Sequence, residues 1–292
     1  MKNIFCCFTT LLFSLSIQSQ TVIRGSANWT RPTIETMELD EATVRCYYRF
    51  IQKDKAGLML TDTMTLDIGA KISEYYDMVK QKRDSALTNY FKTIDHNTVR
   101  SISVLKDQHS FDSESTESGF EIGRTGESSR LLKSRLTGEI TIIDYIDAGQ
   151  ERYRFAETIT PQAWQITTDT ATILGYPCQK ANAIFRGRNY EAWFSLEIPI
   201  NDGPWKFFGL PGLIMKVIDS ENLFSFQCVG IENLTIPQSI VMEQRQYIKC
   251  TRDELVKIKQ KQSGGMRVTN NGGNIVIASK KGKDNYTPME LE

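Results

Sequence analysis

Hydrophobic and polar positions alternate with a period of two along most of this chain. In Ala42–Ile51, Val44, Cys46, Tyr48 and Phe50 fall on one face and Thr43, Arg45, Tyr47 and Arg49 on the other. That spacing, with aromatic and β-branched residues, predicts a half-buried antiparallel strand. Leu58–Ile68 repeats the alternation, and Lys53–Gly57 is the turn of the hairpin so formed. Strand patterns return densely after Gly138: Ile140–Ile146, Glu151–Ala156, Trp164–Leu174, Cys178–Arg186, Tyr190–Ile198, Leu213–Ile218, Leu223–Val229 and Ile240–Ile248. Turn residues separate them, among them Asp147-Ala148-Gly149, Gly175-Tyr176-Pro177 and Gly187. Asn270-Asn271-Gly272-Gly273 between two short apolar runs is a further hairpin signal.

Two segments depart from this rhythm. Ser73 reads as an N-cap for one long helix from Glu74 to about Ile94, since Tyr75, Val79, Lys82, Ala86, Tyr90 and Ile94 recur every three or four positions. Thr251 and Glu254 form a capping box for a short C-terminal helix, Arg252–Lys261. Residues 106–130 are polar and Gly/Ser-rich, and predict a surface loop. Short turns favour antiparallel neighbours, because parallel pairs need long crossovers. The fold class expected is therefore mainly β (α+β): a large curved antiparallel sheet with the long helix against its concave side, a half-barrel by analogy with lipoprotein carriers of the LolA type.

Residues 1–19 join Lys2 to a short apolar run too brief and too hydroxyl-rich to span a membrane. They predict a signal peptide, residues 20–292 forming one exported β-rich domain that is periplasmic, outer-membrane associated or secreted. The full chain has 292 residues and balances 35 Lys+Arg against 35 Asp+Glu, which gives no basic footprint for nucleic acid. Beyond the leader, Cys46, Cys178, Cys228 and Cys250 allow two disulfides in three pairings, or free thiols buried on strands. No CxxC pair, GxSxG, HExxH, GxGxxG or Walker pattern is present, and the 2 histidines, His96 and His109, lie far from the densest motifs. The chemistry expected is non-enzymatic, with no metal and no cofactor.

The most distinctive stretch is Trp193–Asp219. Pro199 cannot donate to a ladder, Asp202-Gly203-Pro204 turns the chain, and Gly209 and Gly212 bracket Leu210-Pro211. The outcome is a compact apolar knob of Trp205, Phe207, Phe208, Leu210 and Leu213 at a strand end. Such a knob is either a plug in the core or, with Trp193, a lip around a hydrophobic ligand. Arg186 and Arg188, flanking Gly187, are candidates to grip a phosphate or carboxylate, although surface pairing is the commoner use of such residues. Asp219 suits a turn cap.

Gly209-Leu210-Pro211-Gly212-Leu213-Ile214 resembles the hexapeptide of the GLPGLI family of exported Bacteroidetes proteins. The likeness extends to Ile173–Ala181, Phe185–Arg188, Ala192–Phe194, Ile198-Pro199, Gly203-Pro204 and the tail Asn285–Leu291. It implies export and a shared fold, and brings no established activity. Three functions remain. Carriage of a hydrophobic ligand (lipid, acyl chain or apolar peptide) in the periplasm comes first, and a protein–protein interaction module of an outer-membrane assembly such as a transporter second. A carboxylate hydrolase comes last. A carrier requires an enclosed apolar hollow; a module requires an exposed edge or patch instead.

Overall fold

The computed structural model describes residues 21–23, 35–53, 57, 59–82, 94–108, 119–122, 129–146, 151–260, 266–280 and 288–291. The expected leader, His109 and much of the 106–130 stretch lie outside these residues. The described strands are β1 (Thr21–Ile23), β2 (Thr36–Lys53), β3 (Met59–Gly69), β4 (Ile72–Asp77), β5 (Ser101–Gln108), β6 (Gly119–Ile122), β7 (Arg130–Ser134), β8 (Glu139–Ile146) and β9 (Glu151–Thr158). They continue as β10 (Gln165–Ile173), β11 (Tyr176–Phe185), β12 (Arg188–Ser195), β13 (Leu213–Asp219), β14 (Phe224–Glu243), β15 (Ile248–Lys249), β16 (Met266–Asn271) and β17 (Asn274–Lys280).

Twelve strands form one open sheet in the order β10-β11-β12-β13-β14-β2-β3-β4-β7-β8-β9-β15. Every neighbouring pair is antiparallel except β9 and β15. Two meanders, β10 to β14 and β2 to β9, are thus joined where the 20-residue β14 lies along the 18-residue β2. A second sheet runs β1-β5-β17-β16-β6, with β5 and β17 parallel. The mainly β expectation holds, and two parallel pairs make the architecture mixed rather than purely antiparallel.

Two-residue turns explain the tightness of the first meander. Leu174-Gly175 and Arg186-Gly187 each place both residues at positive φ (52° and 84°, 48° and 76°). This is the mirror-image turn whose twist matches that of the flanking strands.

Three expected boundaries change. Residues 74–77, read as the start of the long helix, belong to β4 (Ile72–Asp77) instead; α1 covers 78–82 among the described residues, and 83–93 of the expected helix lie outside them. The reason is burial on both faces: Tyr75 enters the core, while Tyr76 on the opposite face donates to Asp67 Oδ2 at 3.0 Å. A strand buried on both sides shows no alternation, and the recurrence from Tyr75 to Val79 and Lys82 that suggested a helix begins in β4 only by coincidence. Within the expected 106–130 loop, β5 continues to Gln108 and β6 pairs with β16. The runs Leu223–Val229 and Ile240–Ile248 belong largely to one strand, β14, whose middle is exposed and bulged between Asn233 and Gln238. The short helix α2 (Arg252–Gln260) and its capping box match, with Glu254 N donating to Thr251 Oγ1 at 3.3 Å and Thr251 N to Glu254 Oε2 at 2.8 Å.

The tight turn between β3 and β4 is held by Asp40, whose Oδ2 accepts from the amides of Lys71 (2.6 Å) and Ile72 (2.9 Å). Burial works against this carboxylate, but the amides of Ile72, Lys71 and Glu41 outweigh it and hold its pKa below the ordinary value. The unfolded chain therefore binds this proton more readily. The contribution to stability is complete above about pH 4 and is lost as pH falls through the lower folded value. We expect Asp40→Asn to flatten the acid limb of urea stability measured between pH 2 and 5. An acid limb identical to that of the unsubstituted protein would show that Asp40 does not set it.

Candidate functional site

The connection between β12 and β13 carries the hexapeptide, and it folds inward. β12 ends at Ser195, three residues before the expected end at Ile198, and leaves Leu196 59% exposed. Beyond it the chain closes on itself. Leu213 N donates to Ile198 O (2.9 Å), Ile214 N to Asp202 O (3.0 Å) and Phe207 N to Pro204 O (3.1 Å). Gly212 lies so close to Ser195 that a Cβ there would sit 2.0 Å from its carbonyl oxygen. Only glycine permits that approach. Gly209, at φ 97°, packs on Pro161 in the segment between β9 and β10. That segment also clamps the loop: Gln162 Nε2 donates to Lys206 O (3.1 Å), its Oε1 accepts from Phe208 N (3.1 Å), and Trp164 Nε1 donates to Phe208 O (2.9 Å).

These constraints aim the apolar knob at the sheet. Trp205 is 4% exposed, Phe207 and Leu213 0% and Leu210 1%. Phe207 stands at the centre of an aromatic cluster, with ring centroids 4.7 Å from Tyr190, 5.3 Å from Trp205, and 6.0 Å from both Phe185 and Phe226. Edge-on contacts of this kind add about 0.5–1.5 kcal/mol per pair beyond burial. Trp205 adopts φ 51°, a strained conformation for a bulky residue. Of the other aromatic candidates, Phe208 is half-buried and packs on the core margin. Trp193 points to the opposite face of β12, where Lys180 Nζ lies 5.8 Å above its ring. The knob is therefore a plug, and Trp193 is no part of it.

A cavity of about 50 Å³ remains between the knob, α2 and the sheet, lined by Leu131, Ile142, Phe155, Trp205, Leu255 and Met289 among others. That is room for a few waters at most, whereas drug-sized ligands occupy about 300–1,000 Å³. A depression of about 360 Å³ beside Tyr153, Cys250 and Ile258 is open to solvent.

Buried ion pairs fix the loop. Lys133 on β7 donates to Asp202 Oδ1 and, at 2.7 Å, to Gly203 O, with both charged side chains shielded from solvent. Burial lowers the lysine pKa, opposed by the adjacent Asp202 carboxylate. Asp202 Oδ2 is buried without a hydrogen-bond partner. Lys206 binds Glu157 and Glu290, and Arg186 Nη2 donates to Glu157 Oε2 at 2.8 Å. Arg188 contacts Glu221 (3.1 Å) and Asp219 (3.9 Å). It also donates from Nε to Met289 O (3.2 Å) and from Nη2 to Pro288 O (3.1 Å). Both arginines thus hold groups of their own chain. Asp219 caps the β13–β14 turn, accepting from Phe224 N (2.6 Å) and Glu221 N (3.2 Å). Sequence reasoning did not reach Lys133, Glu157, Asp202, Lys206 or Glu290. A lysine at an inward register of β7 is the signal that would have exposed the first of them.

All four described cysteines are free thiols. Cys178 donates to Tyr176 O (3.4 Å) and Cys228 to Gly230 O (3.5 Å), each within its own strand. Burial pushes the Cys228 thiol up to about 11 and raises Cys46 further. Among the described residues no group of three or more His, Cys, Asp or Glu is placed to hold a metal ion. His96 begins a single 3₁₀ turn.

Residues 186–216 match the model of a family described as "Protein of unknown function (Porph_ging)". That stretch runs from Arg186 through the hexapeptide into β13. No curated protein matches the chain. Two solved structures of PNGF-II, in the P21 and C2 space groups, superpose with a TM-score of 0.46 at 11% and 12% identity. They align with 74% of this chain, which spans 33% and 32% of theirs.

Two outcomes follow from the site. Removing one member of the buried pair, by Lys133→Met or Asp202→Asn, is expected to cost about 3–5 kcal/mol in urea unfolding. The double variant should cost clearly less than the sum, and strict additivity would overturn the coupling. Native protein treated with a thiol reagent at pH 8 should label Cys250, which is half-buried, well ahead of the other three, and all four after unfolding. Rapid labelling of Cys46 in the native protein would contradict its burial.

Proposed function

We propose that this chain is an exported, non-enzymatic interaction module of an outer-membrane assembly, belonging with the GLPGLI proteins, and that it acts through a sheet edge rather than through a bound lipid. The leader pattern at 1–19 and the match at 186–216 support the first part. One observation carries the second: the inward face of the sheet is filled by Phe207 and its neighbours, while β10 forms a sheet edge with six of its nine residues exposed. A carrier needs a hollow several times larger than the 50 Å³ beside Met289.

Among the described residues, no strand pairs with the outer side of β10. Its Thr-rich sequence suits extended pairing, and Ile166 on β10 and Ile184 on β11 are 49% and 75% exposed. An edge with free backbone donors and acceptors accepts an extended segment of another protein as an added strand. The partner in this reading is such a segment of an outer-membrane protein. The reading involves no catalytic step, metal or cofactor.

The test is native mass spectrometry of protein purified from its own envelope, combined with a photo-crosslinking residue at Thr170. The expected result is a mass without stoichiometric lipid and one discrete crosslinked protein, lost when Thr168 and Thr172 are changed to lysine. Stoichiometric lipid with no adduct would restore the carrier and overturn the module.

A further inference from the structure

Residues 288–291 are bound to the rest of the chain as a peptide is bound to a receptor. They join no strand ladder. Their carbonyls are read by side chains of β12: Arg188 donates to Pro288 O and Met289 O, and Tyr190 Oη donates to Met289 O at 3.2 Å. One backbone bond, Leu291 N to Arg186 O (3.0 Å), sets the register. Met289 is buried in the core beside Trp205 and Leu255. Glu290 is met by three cations: Lys206 Nζ at 2.9 Å from both carboxylate oxygens, Arg186 Nε at 3.5 Å and Arg252 Nη1 at 3.9 Å.

Each position is recognised by different chemistry, which makes the groove selective. Without Glu290, Lys206 and Arg186 would share the single carboxylate of Glu157 and Arg252 would keep only Asp253 at 3.8 Å, so the groove favours an acidic occupant. The socket is also incompletely filled. The 50 Å³ cavity adjoins Met289, and Arg252 Nη1 on its wall is buried without a hydrogen-bond partner.

We propose that the groove between β12, the hexapeptide loop and α2 is a recognition site for an extended Pro–apolar–Glu peptide. Its present occupant is the chain's own 288–291 segment, and its partner in trans is the same segment of a second copy. Exchange of an identical element between copies adds no new interface chemistry, because every contact already exists within one copy. The inference is independent of the edge-strand reading, which concerns the outer edge of β10, two strands from β12.

The experiment uses full-length Met289→Asp protein, whose groove is intact and whose own segment is disabled. A fluorescent synthetic peptide of residues 285–292 should bind it at least tenfold more tightly than it binds the unsubstituted protein, where the cis segment competes. The peptide carrying Glu290→Lys should bind at least tenfold more weakly. Mixing the Met289→Asp chain with an Arg188→Gln chain, which keeps its segment and loses the groove, should give a one-to-one dimer in sedimentation, with each alone monomeric. If circular dichroism shows that Met289→Asp does not fold, full-length Glu290→Lys serves as the acceptor. Absence of peptide binding to a folded acceptor, or equal binding of the two peptides, would overturn the site. A mixture that stays monomeric would overturn the second copy as its partner.

Discussion

The structure depends on one constraint: the twelve-stranded open sheet presents a broad apolar inward face, and something from the chain must fill it. The connection between β12 and β13 does so. Phe207 closes over Tyr190 and Phe226, and a ring of backbone bonds around Asp202 holds the approach. Fully burying a side chain of this size contributes about 1.5–3 kcal/mol, and four such residues enter together. The charged pair Lys133–Asp202 adds little net energy of its own, since desolvation offsets much of its attraction. Its value is positional, because an inserted loop in any other register would strand a buried charge.

This arrangement gives the hexapeptide a physical meaning. Gly212 must lie against Ser195, Gly209 against Pro161, and Trp205 and Phe207 are delivered to the centre of the core. The motif is thus a device for filling a sheet: Trp205, Phe207, Leu210 and Leu213 are all buried in it. The arginines beside it act in the same spirit: the anions and carbonyls they hold are Glu157, Asp219, Glu221, Glu290 and the backbone of residues 288 and 289.

How far the sequence reveals this follows from which surfaces are half-buried. β2 and β12 show clean alternation because one face of each meets the core. β4 is buried on both sides and shows none, so nothing in it opposes the helical spacing of Tyr75 with Val79 and Lys82 further along the chain. The middle of β14 is exposed on both sides, which divides one strand into two apparent ones. The apolar knob is evident from composition, but its burial is not, since a lip and a plug share the same residues. The ion pairs are the least accessible: Lys133 and Asp202 are 69 positions apart, Lys206 and Glu290 84. No local pattern links residues so distant; only the order of strands brings them together.

The two margins of the large sheet differ in kind. One is the nine-residue β10, the other the two-residue β15 running parallel to its neighbour. Head-to-tail stacking of sheets needs two long complementary margins, and this molecule offers one. A strand added to β10 would therefore find no second long margin of this sheet, among the described strands, on which to repeat, so growth into a fibre has no template there.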